Sequence, residues 1–263
     1  MNVRTFAVAA SAVAALQAQA QETYTLIDNF STPQIDSGKW LFGERSRIVK
    51  ANALSMAMRD YGDQISNAGT RRSNWNHAFD EPHRITQMRV NVVANSYELT
   101  SCAANATAGS VMARLYGGFF NTTGVAPGDQ TNDVLASIRL IRLTSSTDAV
   151  NLLRVQGSID QCTESSCATS VNLGLVELGT VSLGTQVRLT IEWDQMNKRF
   201  MFQRDLLAFV PVTYSVADSL PPNVPLKYLN TRTSLQNCLS GPRTVGAIDA
   251  TFDYVLVNAS GTP

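Results

Sequence analysis

Charge is scarce in this sequence. Asp, Glu, Lys and Arg together make up 16% of its 263 residues, the basic and acidic counts are equal at 21, and there are only two histidines. Such a balance leaves no electrostatic footprint for nucleic acid or for an anionic membrane surface. The histidines, His77 and His83, sit at no spacing that would complete a zinc site with cysteine. The basic residues are skewed, 17 Arg to 4 Lys, which a GC-rich genome explains as readily as anion recognition does. Long apolar runs are missing as well. The most apolar stretch, residues 5–16, is a dozen residues long, well short of the ~20 needed to span a bilayer. No G-x-S-x-G, no EF-hand loop and no repeat of fixed period is present. With no Pro/Ser-rich linker either, residues 21–263 are expected to form one domain.

What is present begins with an export pattern. Arg4 provides a positive start, TFAVAASAVAAL an apolar centre, and Ala18-Gln19-Ala20 the small residues read at a cleavage site. Residues 1–20 are therefore expected to be a signal peptide, leaving a soluble chain of about 243 residues in the periplasm or outside the cell. Loss of Arg4 leaves 20 basic against 21 acidic residues, a net charge of −1. Four cysteines in an exported chain favour disulfides, with three possible connectivities. Cys162 and Cys167 close the short polar loop CTESSC, and a bridge there leaves Cys102 to pair with Cys238.

Apolar residues recur with a period near two. Val187, Leu189, Ile191 and Trp193 alternate with Arg188, Thr190 and Glu192, and after the turn MNKR, Phe200 and Phe202 alternate with Met201 and Gln203. This pair reads as a hairpin. Similar runs are Val111/Ala113/Leu115, Val134/Ala136/Ile138/Leu140, Leu153/Val155/Gly157/Ile159, and Phe252/Tyr254 opposed to Val255/Val257. A strand is also expected from Ile85 to Val93. Short strands bounded by Gly, Pro, Asn and Asp clusters imply an all-β, two-sheet antiparallel sandwich.

Three segments carry a resemblance: TLIDNFSTPQIDSGKW near the start, VRLTIEWDQMNKRFMFQRD, and the closing AIDATFDYVLVNA. They resemble the first, late and last strands of the concanavalin A-like lectin/glucanase (LamG-like jelly-roll) superfamily. The resemblance implies a jelly roll whose terminal strands lie together; it matches no specific family motif.

Several groups could carry chemistry. Glu192-Trp193-Asp194 has the E-x-D that opens the glucanase motif of that superfamily, but Gln195 to Lys198 lack the completing carboxylate, so a strand end running into a turn is the simpler reading. His77 and His83 flank Glu81 and Pro82 without a nucleophile context, and DEPH reads as a turn. The stretch from Arg59 to His77 combines Tyr61, Arg71, Arg72 and Trp75 with three asparagines; aromatic faces beside amide and guanidinium donors suit a sugar ring. Its alternative is an edge plug by Trp75 and Phe79. Arg89, Arg114, Arg139, Arg154, Gln156 and Arg188 occupy the polar phase of their strands. If those strands are neighbours they line one face, where arginine would hold the carboxylates of an acidic glycan bidentately. Calcium is the one metal with candidate ligands, Asp28 with Asp253 or Asp249, if the terminal strands pair.

The expected function is an exported, lectin-like carbohydrate-binding module with no evident catalytic motif, an acidic glycan being one option for its partner. An extracellular polysaccharide hydrolase or lyase is the second expectation and an adhesive surface protein the third. Neither nucleic acid nor membrane insertion is expected.

Overall fold

The computed structural model describes Lys39 and residues 43–66, 68–79, 85–124 and 126–258. The expected signal peptide, Asp28, Glu81 and His83 lie outside the described residues. Thirteen strands and no helix are found among the described residues. One sheet runs in the order β1 (Glu44–Lys50), β2 (Ala53–Tyr61), β13 (Val245–Val257), β4 (Gln87–Leu99), β9 (Gln186–Asp194), β10 (Arg199–Arg204) and β11 (Val210–Thr213). The other runs β3 (Thr70–Ala78), β12 (Lys227–Gln236), β5 (Ser110–Asn121), β6 (Asp133–Leu143), β7 (Leu152–Cys162) and β8 (Ser170–Ser182).

Every neighbouring pair in both sheets is antiparallel. The chain changes sheet between β2 and β3, β3 and β4, β4 and β5, and β8 and β9, then twice more around β12. This is a two-sheet antiparallel jelly-roll sandwich. The changes of sheet place the late strand β12 between β3 and β5, and so bring residues far apart in sequence onto one surface.

Alternation decides which side chains enter the core. Val187, Leu189 and Ile191 of β9 are buried and Arg188 faces out. Met88, Val90 and Val92 do the same on β4, which extends to Leu99, past the expected end at Val93. β9 and β10 form the expected hairpin, with Arg199 opposite Asp194 and so part of the strand rather than of the turn MNKR. Asp194 accepts hydrogen bonds from the Asn197 backbone N–H (3.2 Å) and from Arg199 Nε (2.8 Å). It is therefore a turn cap, and Trp193 packs inward against Phe120 with ring centroids 5.4 Å apart. Phe200 and Tyr214 complete this aromatic end of the core.

Gly157 shows how tight the core is. A Cβ there would lie 2.5 Å from Phe202 Cγ, so the inward position on β7 must be glycine for the ring to pack. One expected run departs from alternation. A register shift between Asp253 and Leu256 interrupts β13, and Tyr254 sits there at φ 47°, exposed rather than buried like Phe252. A bulge of this kind re-aims side chains that a regular strand would turn inward.

Both cysteine pairs are disulfide-bonded, Cys102 to Cys238 across 136 residues and Cys162 to Cys167 across 5. The first ties the segment after β4 to the end of β12.

Candidate functional site

The outward phase of the six-stranded sheet forms a groove of about 450 Å³. Strand register sets a row of residues across the sheet, of which Arg114 and Arg139 line the groove. Asn76, Asn230, Arg114, Arg139, Gln156 and Glu177 stand opposite one another in turn, one residue from each strand across the whole sheet. Hydrogen bonds join most of this row. Asn230 donates to Asn76 Oδ1 (2.6 Å), Arg114 Nε to Asn230 Oδ1 (2.6 Å), Arg139 Nε to Gln156 Oε1 (3.2 Å), and Gln156 to Glu177 Oε1 (2.6 Å).

The row breaks between Arg114 and Arg139, two guanidinium groups on directly opposed residues. Like charges in that position repel. Arg232 stands two residues along β12 from Asn230, and its Nε is buried with no hydrogen-bond partner. Arg72 of β3 brings a fourth cation. None of these four arginines makes an ion pair among the described residues; the acidic groups within electrostatic reach are Asp160 and Glu177. Asp160 is engaged by Ser158 and Asn172.

The electrostatic result is a concentration of positive charge. Burial, compounded by Arg114, Arg72 and Arg139, pushes the Arg232 guanidinium down to about 9, so it is still charged at neutral pH. Burial also lowers Arg114, with Arg139 and Arg72 adding to the effect, and lowers Arg139. Beside the row, two residues along β5 and β12, lies an aromatic pair. Tyr116 and Tyr228 stack at 4.9 Å, and the Arg114 guanidinium lies 3.8 Å from the Tyr116 ring centroid. Burial pushes the Tyr228 phenol up to about 12. The chemistry on offer is planar, bidentate donors for carboxylate or sulfate, amides for hydroxyls, and a phenol edge.

A loop lies over this groove. Residues 163–169 join β7 to β8, and Ser166, Cys167 and Ala168 line the groove. Arg72 donates a hydrogen bond to the Ala168 carbonyl. β3 and β8 are opposite edges of the sheet, five strand intervals or roughly 24 Å apart at the usual spacing. The Arg72–Ala168 contact therefore joins groups from the two edge strands' sides of the sheet on the groove face.

The residues singled out in the sequence separate into groups. Arg72, Arg114, Arg139 and Gln156 come together here. Arg154 shares the face, but Asp148 takes its charge at 2.6 Å. Arg71 has the opposite phase and pairs with Asp60 and Asp63. Tyr61 is buried in β2, with Arg59 and Arg243 against its ring. Trp75 packs on the core and donates its Nε1–H to Ser46 O, with Arg47 over its ring. Arg89 and Arg188 belong to β4 and β9, in the other sheet. His77 is exposed on β3. Asp249 accepts from Asn95, and no group of three or more His, Cys, Asp or Glu that could hold a metal is found among the described residues.

Sequence reasoning missed Arg232, Asn230, Tyr116 and Tyr228, while Asn74 belongs to the asparagine-bearing stretch it singled out. The signal for β12 was Tyr228, Asn230, Arg232 and Ser234 alternating with Leu229, Thr231, Thr233 and Leu235. The buried threonines hid it, because they do not read as an apolar phase.

No family model matches the chain. No curated protein matches it in sequence. Among solved structures, carbohydrate-binding module CBM66 from Bacillus subtilis is similar at TM-score 0.34 and 10% identity, over 82% of this chain and 92% of that one. A GH16 of the mixed-linkage glucan locus of Bacteroides ovatus, in complex with product, is similar at TM-score 0.42 and 10% identity, over 81% and 85%. A legume lectin-like domain from Entamoeba histolytica is similar at TM-score 0.28 and 11% identity, over 89% and 99%. Likenesses this distant carry no argument about a ligand, and the fold is read from this chain's own strand order.

Proposed function

We propose that the groove on the six-stranded sheet binds a carboxylate-bearing carbohydrate chain, a uronate-type glycan, without cleaving it. The observation that carries this reading is the cluster of Arg72, Arg114, Arg139 and Arg232, four guanidinium groups with no ion pair among the described residues. A folded protein holds such a cluster at a cost, and an anion seated between Arg114 and Arg139 relieves it. Asn74 and Tyr116, which line the groove, add an amide and a phenol edge of the kind that sugar hydroxyls prefer. Glycan hydrolysis by the paired-carboxylate route needs two carboxyl groups about 5 to 9.5 Å apart across the bond, whereas the groove lining includes the single carboxylate Asp160. The chain acts after export, with residues 1–20 removed.

The test is calorimetric titration of the mature chain with oligo-uronates and with neutral gluco-oligosaccharides, followed by assay of the same mixtures for new reducing ends and unsaturated sugars. Binding of the uronates alone, weakened by salt and without product, is the expected outcome. Equal binding of neutral glucans would remove the charged-ligand reading, and product release would replace it with an enzyme.

A further inference from the structure

The loop over the groove is built to stay in place. The Cys162–Cys167 disulfide ties the end of β7 to a residue within the loop. Inside it, the Glu164 carboxylate accepts backbone N–H groups from Ser166 (3.0 Å), Ala168 and Thr169 (3.3 Å), which hold that carboxyl below its usual range. Thr163 and Thr169 pair through both backbone (3.0 Å) and hydroxyls (2.6 Å). Two outside anchors then hold the loop to the sheet. Gln130 N–H, from the β5–β6 connection, donates to Ser165 O at 2.9 Å, and Arg72 donates to Ala168 O from the far edge. A segment of seven residues (163–169) is thus paired at its base and fastened to the sheet through Ser165 and Ala168.

Resting on the ligand reading above, we propose that this loop is a roof that makes the site select chain ends. With a cover from the β7–β8 edge to β3, the interior of a long polysaccharide cannot settle onto Arg114, Arg139 and Arg232 from above. A terminus, or a short oligomer, slides in along the strands beneath Ser166–Ala168. Arg72 has two roles: it pins the roof, and its charge lies close enough to Arg114 and Arg232 to depress both.

The experiment is association kinetics of the mature chain on polyuronate fractions of different length at equal mass concentration. The association rate of wild type should rise in proportion to the number of chain ends. In a variant whose residues 163–169 are replaced by a two-residue Asn-Gly turn, the rate should track total mass instead. Cys162→Ser/Cys167→Ser, which removes no groove charge, should shift part of the way toward mass dependence, and its melting curve shows whether the sandwich is intact. A wild-type rate that follows mass and ignores chain ends overturns the roof while leaving the ligand reading standing. Absence of binding to every fraction, short oligomers included, overturns both.

Discussion

Arg232 and Lys227 lie five residues apart on β12, and burial acts on each in a different way. Arg232 faces the groove among like charges, so replacing it should help the free protein and harm the complex. Arg232→Met is expected to raise the melting temperature by a few degrees, as replacing buried charge with apolar volume often stabilises by about 1 kcal/mol or more. The same variant should lose about tenfold or more in uronate affinity, since a charge-assisted hydrogen bond contributes roughly 1.5–3 kcal/mol. A melting curve and a titration on one preparation check both, and a variant that loses stability while keeping affinity would contradict the anion-site argument. Lys227 is buried, donates to the Gly118 carbonyl and lies 4.3 Å from the Phe119 ring centroid. Burial lowers its ammonium to about 7. Between that pH and its ordinary value of 10.5, the unfolded chain holds a proton that the folded chain has released. Stability from this residue therefore increases as pH rises through that window. Denaturant midpoints at pH 7 and 9 should show the rise in wild type and its loss in Lys227→Met.

At the scale of single elements, each strand does two jobs in alternate residues. β5 puts Val111, Ala113 and Leu115 into the core and Arg114 and Tyr116 into the groove, so groove geometry is only as fixed as core packing. β7 offers the sharpest test. Gly157 faces Phe202 with no room for a methyl group. Gly157→Ala should destabilise by about 1–3 kcal/mol, as overpacking does. Because Gln156 and Ser158 flank it on the groove side, the same change should also weaken uronate binding without touching any groove side chain. Unaltered chemical denaturation of this variant would mean that Phe202 repacks freely. The alternation of β5, β6, β7 and β9 was legible from sequence because large aliphatic residues fill the inward phase. β12 was not, since Thr231 and Thr233 satisfy its inward positions with side chains that usually face water.

Across the whole molecule, the long-range disulfide and the short one have separable duties. Cys102–Cys238 closes 136 residues and should contribute on the order of 4 to 5 kcal/mol through the unfolded chain. Cys102→Ser/Cys238→Ser is expected to lower the urea midpoint far more than Cys162→Ser/Cys167→Ser, whose loop entropy amounts to about 2 kcal/mol. Equal shifts would show that the short bridge supports the fold as well as the roof.

The sequence by itself determined the all-β class, the inward or outward phase of most strands, and the candidate pairing of its cysteines. These are local properties: a period of two and a short loop between cysteines can be read within a dozen residues. Only the tertiary structure decided which arginines meet. Arg89 and Arg188 have the same outward phase as Arg114 and Arg139, yet they belong to the other sheet. Sheet membership depends on pairings between strands distant in sequence, and β12 reaches β5 and β3 only after the chain has crossed between sheets. The roof was likewise beyond local reading, because CTESSC acquires its position from Gln130 and Arg72, residues distant from it in sequence.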